Sequence, residues 1–164
     1  MLQPLVRRTW APRGERPVLR CWDRRDRLSV IAALTLSPRR RRAGLCFAIH
    51  RRNVKTDEVE AFVREAQMRL NRPLTVVWDR LSAHKSAAKR LAQDGRFRFE
   101  WLPAYAPDLN PAEWLWSHTK CGDLANFVPD DAQGLEIEAG FSLWKTQRKQ
   151  ALLRSFFQGA GLKI

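Results

Sequence analysis

Five consecutive residues near the middle of the chain, Leu74-Thr75-Val76-Val77-Trp78, are apolar or β-branched and end directly at Asp79. A short apolar run of this length is typical of a strand buried on both faces, as in the interior of a parallel sheet. A carboxylate just after such a strand is costly unless it is solvated, paired or bound to a cation. Asp79 therefore either caps the following turn or serves a function, and both interpretations remain open.

The patterns on either side of this strand predict further strands and helices. The predicted strands cover residues 17–22, 28–36, 44–50 and 97–101, with a polar turn at 23–27 that makes the first two a hairpin. The predicted helices are one capped by Thr56, one over 86–93, one beginning at Pro111, and a basic amphipathic one over 141–157. The order β-β-β-α-β-α-β-α-α predicts a mixed α/β sheet with helices packed on it.

The charge of the chain points to a polyanionic partner. Thirty Lys and Arg against 17 Asp and Glu give a formal net charge of +13 at pH 7. Such a surface attracts nucleic acid first and anionic membranes second. Four consecutive arginines, Arg39, Arg40, Arg41 and Arg42, are candidates to contact a DNA backbone. The alternative is that they form a solvated loop of a basic protein.

Composition argues against several other classes of protein. Hydrophobic residues make up 45% and charged residues 29%, which is typical of a globular domain and not of a disordered chain. The longest apolar stretch, residues 28–36, is far shorter than the roughly 20 residues that a membrane span needs. The three cysteines, Cys21, Cys46 and Cys121, are far apart and odd in number, which indicates a reducing compartment and neither a disulfide framework nor a zinc site.

A second candidate acid, Glu113, follows a loop with a proline at every fourth position, namely Pro103, Pro107 and Pro111. Asn110 is a strong helix N-cap, and Glu113 lies three residues after it, which is the spacing of a capping box. One interpretation makes Glu113 a structural cap. The other makes it a carboxylate that the stiff loop positions for chemistry. Both remain open from the residues alone.

Two segments, residues 76–85 (VVWDRLSAHK) and 102–116 (LPAYAPDLNPAEWLW), resemble the DDE endonuclease domain of insertion-sequence transposases of the IS630 type, related to the Tc1/mariner group. Residues 8–14 and 153–157 are also similar to that family. The resemblance therefore covers nearly the whole chain in the expected order. It implies a ribonuclease-H-like mixed α/β sheet flanked by helices.

The resemblance also implies an activity and a set of site residues. In the family, three acids hold two divalent metal ions, Mg²⁺ or Mn²⁺, for in-line attack on a DNA phosphodiester. Asp79 matches the second acid and Glu113 the third. His84 and Lys85 are candidate DNA contacts, with a local hydrogen bond as the alternative for His84. The implied protein cleaves and joins transposon ends and target DNA as a homo-oligomer in the bacterial cytoplasm, at the nucleoid and not at a membrane.

The N-terminal part departs from the family pattern. The family's first aspartate lies on the first strand, just upstream of the stretch at residues 8–14, whereas residues 1–6 contain no acid. We therefore expect a partial catalytic domain over 1–127, without that strand and the DNA-binding region, followed by a basic helical tail over 128–164. An exposed edge beside residues 74–78 would make it marginally stable, unless an upstream segment or separate chain supplies the strand. The alternative is an inactive DNA-binding remnant or an inhibitor of intact transposase.

Overall fold

The computed structural model describes residues 7–18 and 28–164. Its strands are β1 (Ser29–Leu36), β2 (Ala43–His50), β3 (Leu74–Trp78) and β4 (Phe97–Trp101). Its α-helices are α1 (Thr56–Leu70), α2 (Ser82–Leu91), α3 (Pro111–His118), α4 (Ala132–Gln147) and α5 (Gln150–Gly159). A 3₁₀ turn at Pro107–Leu109 precedes α3, and a π-helical turn at Thr119–Asp123 follows it. The predicted strand at 17–22 and turn at 23–27 lie outside the described residues, apart from Pro17 and Val18, which are not in a strand.

The four strands form two separate two-stranded sheets. β1 and β2 are antiparallel, with Ser29 opposite His50, and residues 39–42 lie in the turn between them. β3 and β4 are parallel, with Leu74 opposite Phe97, and α2 connects them. Within the described part of the chain, no strand pairs with the second edge of β1 or of β3. Among these residues, both edges therefore lack a partner strand for their backbone groups.

Two apolar clusters position the elements that carry the candidate site. The first joins β1 and β2 to α3, α4 and α5 around the buried side chains of Leu115, Leu143 and Leu153. The second lies between α1, α2 and the β3–β4 sheet and includes Trp78. Ile31 of β1 packs against this second cluster, so the two sheets share a core although no backbone hydrogen bond joins them.

The C-terminal part forms two helices, and the single helix predicted over residues 141–157 is wrong. α4 ends at Gln147, and α5 begins at Gln150 after a non-helical Lys149 with φ −100° and ψ 88°. The Gln147 side chain donates to a backbone carbonyl of β2 at 2.6 Å. The Gln150 side chain accepts from the backbone N–H of Ala43 at 3.1 Å and donates to its carbonyl at 2.7 Å. These long-range bonds cover the outer edge of β2, and helical periodicity does not encode them.

Two helix starts also differ from the prediction. α1 begins at Thr56, but its N-cap is Lys55, whose backbone N–H donates to the Glu58 carboxylate at 2.9 Å. The Glu58 carboxylate therefore accepts a hydrogen bond from the N-cap backbone at the start of α1, and Thr56 does not cap the helix. α2 begins at Ser82 and not at Ser86.

Strand β3 is buried on one face only, so the prediction of burial on both faces is wrong. Val77 is 58% exposed, and Thr75 is exposed beside it. Arg98 and Glu100 of β4 continue the same exposed face. Among the described residues, α1 and α2 pack on the opposite face of this sheet. A continuous apolar run predicts a strand, but the elements that pack around the strand decide how many faces are covered.

Asp94 forms ion pairs with Arg96 at 2.7 Å and with Arg64 of α1 at 3.4 Å. The hydrogen bond from Arg96, together with the nearby positive charges, lowers the pKa of Asp94 to about 2 from an ordinary value of 3.8. A lowered pKa stabilises the folded state above the ordinary pKa, and this contribution is lost as pH falls toward the folded-state value. Between pH 3.8 and 2, wild type should lose more stability than Asp94→Asn in urea unfolding. Equal losses in the two proteins would contradict this account.

Candidate active site

Asp79 lies directly after β3, at the carboxyl end of the parallel strand pair. Its Oδ1 accepts a hydrogen bond from the Leu81 backbone N–H at 3.0 Å, so the turn cap considered from the sequence is formed. The side chain is nevertheless 55% exposed. No hydrogen bond from the described residues reaches its Oδ2. Capping therefore uses one carboxylate oxygen and leaves the other available to a ligand.

His84, in the first turn of α2, orients this carboxylate. Its Nδ1 lies 2.6 Å from Asp79 Oδ1, within hydrogen-bond distance. The imidazole stacks on Trp78 with ring centroids 4.9 Å apart and planes at 6°. Trp78 stacks in turn on Phe99 at 5.3 Å. The local hydrogen bond that stood as the alternative for His84 is therefore formed, and an aromatic stack supports it.

Glu113 lies in the first turn of α3 and is exposed. Asn110 caps the helix by accepting from the Ala112 backbone N–H at 3.1 Å. The reciprocal bond of a capping box is not formed, because the Asn110 backbone N–H donates to the Pro107 carbonyl at 2.9 Å. The interpretation of Glu113 as part of a capping box is therefore wrong. Within the described ranges its carboxylate has neither a hydrogen-bond nor an ion-pair partner.

The proline-containing loop runs from the end of the second sheet to Glu113. It leaves that sheet beside Asp79, because the Leu102 backbone N–H donates to the carbonyl of Trp78 at 2.9 Å. Helix α3 then packs against β1 and α5 through the fully buried Leu115. Asp79 is thus carried by the β3–β4 sheet, whereas Glu113 is carried by a helix anchored on the β1–β2 sheet.

The donor set fits part of a divalent-metal site. Carboxylate oxygens are the ligands that Mg²⁺ prefers, and the described residues leave oxygens of both Asp79 and Glu113 without a partner. Across residues 7–18 and 28–164, no group of three or more His, Cys, Asp and Glu side chains lies close enough together to hold a metal ion. Two acids are therefore available as ligands, and the described residues do not complete a three-residue site.

The candidate DNA-contacting residues fall into two separate groups. Residues 39–42 form an exposed turn, and Arg40 donates to the backbone carbonyl of Lys163 at 2.9 Å. Arg154 of α5 donates to the backbone carbonyl of Arg40 at 2.8 Å, so the turn is tied to the C-terminal helix. His84 and the exposed Lys85 lie on α2. No hydrogen bond or ion pair joins these two groups in the part of the chain that the structure describes.

Comparison with known proteins assigns the family. The DDE superfamily endonuclease family matches residues 1–131. The chain belongs to the DDE superfamily of endonucleases. The crystal structure of the Mos1 strand transfer complex is similar to this DDE endonuclease chain, with a TM-score of 0.58 and 13% sequence identity. The match covers 98% of this chain and 47% of the Mos1 chain. The DDE endonuclease chain therefore spans about half the length of that protein.

The Mos1 likeness confirms the predicted ribonuclease-H-like α/β fold of the DDE endonuclease chain. No curated protein matches the chain. In residues 7–18 and 28–164, no helix is both long and apolar enough to cross a membrane. The metal-ligand roles of Asp79 and Glu113 stay predictions. Sequence reasoning did not find the contact between His84 and Asp79, although a histidine in the first turn of the helix after a strand-terminal acid is a usable signal.

Proposed function

We propose that this DDE endonuclease chain is the catalytic part of an insertion-sequence transposase of the IS630 type, which cleaves and joins DNA with divalent metal ions. The observation that carries the proposal is the pair of carboxylates with free oxygens. Asp79 has an unbound Oδ2 at the end of β3, and Glu113 makes no capping bond at the start of α3. A metal-dependent nuclease requires acids that local structure leaves available, and these two supply part of that set.

Each acid has its own support in this chain. Leu81 and His84 hold Asp79, and the buried Leu115 anchors the helix that carries Glu113. Bound Mg²⁺ or Mn²⁺ would activate a water or 3′-hydroxyl and stabilise the leaving oxygen. The arginines at 39–42 and Lys85 would bind phosphates of the transposon ends and target DNA. The protein would act at the nucleoid in the bacterial cytoplasm, as a homo-oligomer in its complete form.

The site needs a third acid, and a further strand that pairs with β1 and β3 could carry it. The second edges of β1 and β3 are both unpaired in the described chain. One strand inserted between them would pair both edges and join the two sheets into one. We propose that an upstream segment or a separate chain supplies this strand, which completes the catalytic segment over residues 1–127. Residues 128–164 form the helical segment packed on it.

The second candidate function is that of a DNA-binding protein without catalysis, either a remnant or an inhibitor of intact transposase. The incomplete acid set among the described residues favours it. The net charge of +13 supports DNA binding in either case. The two candidates therefore differ in cleavage and agree in binding.

Nicking of supercoiled DNA separates the two candidates. The chain is assayed with Mg²⁺, Mn²⁺ or EDTA, alone and co-expressed with an upstream segment that carries an acid-bearing strand. We expect metal-dependent nicking only with that segment, because the third ligand is then present. DNA binding without nicking in every combination would favour the remnant or inhibitor, and EDTA-resistant nicking would overturn both.

His84→Ala is expected to weaken Mn²⁺ binding about 10- to 100-fold, because partners that orient a ligating carboxylate contribute on this scale. Titration of Mn²⁺ followed by electron paramagnetic resonance measures the binding without any turnover. The matched control is Lys89→Ala, which changes an exposed residue of α2 outside the candidate contacts and should leave Mn²⁺ binding unchanged. Unaltered binding in His84→Ala would show that Asp79 needs no orienting hydrogen bond.

A further inference from the structure

The outward face of α4 carries a row of exposed apolar side chains. Ile137, Phe141 and Trp144 recur at helical spacing and are 63%, 50% and 43% exposed. The opposite face of the same helix is buried in the core through Ala139 and Leu143. A helix that is apolar on both faces is expected to be covered on both. An apolar row left open to solvent therefore marks an interaction surface.

The composition of this row is that of a protein-binding surface. Phe141 and Trp144 stack with centroids 5.9 Å apart. The Arg148 guanidinium lies 3.9 Å from the ring centroid of Trp144, and the Lys145 ammonium lies 5.1 Å from that of Phe141. Clustered aromatic and arginine side chains are the usual energetic centres of protein–protein interfaces.

The charges beside the row are asymmetric. Glu138 precedes Phe141 along α4, and Lys145 follows it. A separation of seven residues is close to two helical turns, so Glu138 and Lys145 share one flank of the row. Lys145 lies 3.5 Å from Asp123, whereas within the described residues no ion pair is formed by Glu138 or by Arg148. One end of the row is therefore acidic and the other basic.

We infer that this α4 row binds a second copy of the same chain, with the two α4 helices antiparallel about a two-fold axis near Phe141. In that arrangement Phe141 meets its symmetry copy, and Ile137 of each copy meets Trp144 of the other. Glu138 of each copy then lies beside Lys145 of the other, because equal flanks adjoin across a two-fold axis. A parallel arrangement would instead set this flank against the opposite flank of the other copy, so that Glu138 and Lys145 would not meet across the axis. Among pairings about a two-fold axis, only the antiparallel one therefore brings Glu138 of each copy beside Lys145 of the other.

The expected dimer is weak. An interface made by one 16-residue helix from each copy, with three apolar side chains on each, would bury an area at the low end of the range for protein–protein interfaces. The net charge of +13 on each copy opposes association, so added salt should strengthen the dimer by screening this repulsion. Nucleic acid bound to the same aromatic row would behave in the opposite way, because salt weakens phosphate contacts. The direction of the salt effect therefore distinguishes the two occupants.

Sedimentation velocity of the full chain over a series of protein concentrations tests the proposal. We expect a monomer–dimer equilibrium, and Phe141→Glu should raise its dissociation constant about 30-fold or more, the effect of a central interface residue. The matched control is Met68→Glu on α1, since Met68 is 66% exposed and lies outside the row. Circular dichroism shows whether each variant is folded.

A charge exchange tests the antiparallel geometry. Glu138→Lys and Lys145→Glu should each fail to self-associate, whereas a mixture of the two variants should form a mixed dimer with two restored ion pairs. Lys145→Glu places a second carboxylate beside Asp123 and could unfold the chain. In that case, loss of self-association in Glu138→Lys alone would still support the pairing of Glu138 with Lys145 of the other copy. A wild type that stays monomeric, or dimers weakened equally by Met68→Glu, would overturn the proposal. So would a Phe141→Glu variant that dimerises normally but no longer binds a single-stranded oligonucleotide.

Discussion

Asp79→Asn and Glu113→Gln are each expected to lower the rate of metal-dependent nicking by more than about 100-fold. Loss of an outer partner of a metal ligand already costs about 10- to 100-fold, and loss of the ligand's own charge should cost more. Both substitutions keep the size of the side chain and its ability to accept a hydrogen bond. The Leu81 cap on residue 79 therefore survives, and the change isolates the negative charge.

The nicking experiment uses the chain together with the strand-supplying segment, and the rate of conversion of supercoiled DNA is measured in Mg²⁺ and in Mn²⁺. Asp108→Asn is the matched control, because Asp108 is an exposed acid in the loop that leads to Glu113. This control should nick at the wild-type rate. Binding of DNA should persist in all three variants. Nicking retained in Asp79→Asn and Glu113→Gln alike would remove the catalytic assignment, and retention in one would remove that residue from it.

Leu115→Ala is expected to reduce the free energy of unfolding by about 2–5 kcal/mol, the usual cost of a leucine-sized cavity in a core. Leu115 is fully buried in the cluster that joins α3 to β1, β2 and α5. A loss of this size is a large part of the roughly 5–15 kcal/mol that stabilises an ordinary domain. Because Leu115 lies two residues after Glu113, the variant should also loosen the helix that positions this acid.

Urea unfolding followed by circular dichroism measures this loss. Leu109→Ala is the matched control, since Leu109 lies just before α3 but is 46% exposed. Its change in unfolding free energy should stay within about 0.5 kcal/mol, as for most surface substitutions. Similar losses in the two variants would show that the cluster around Leu115 does not hold α3 in place.

The elements around the candidate site could be predicted because their signals are local. The apolar run at Leu74–Trp78 formed β3, the alternation at Phe97–Trp101 formed β4, and Pro111 began α3. Such patterns depend on residues within one or two turns of one another, so tertiary contacts seldom overrule them. The two acids were found for the same reason, since a strand end and a helix start are both visible in the chain.

Two of the errors arose where distant residues decide the outcome. The break between α4 and α5 depends on Gln147 and Gln150 reaching the edge of β2, about a hundred residues earlier in the chain. Exposure of Val77 depends on which helices cover the sheet. Neither the glutamine bonds to β2 nor the packing of helices on one face of the sheet produces a periodic pattern in the sequence.

Local chemistry along the chain was thus sufficient for the four described strands, the helix that begins at Pro111, the basic charge and the choice of Asp79 and Glu113 as candidates. The motifs around these two acids also carry the resemblance to DDE endonucleases, and the match over residues 1–131 confirmed that superfamily. Only tertiary structure decided that β3 is covered on one face and that Trp78, on which His84 stacks beside Asp79, rests on Phe99 of β4. The reason is that both depend on elements distant in the chain. The bonds of Asn110 to Pro107 and of His84 to Asp79 are local, but nearby groups compete for the same partners and the sequence does not rank them.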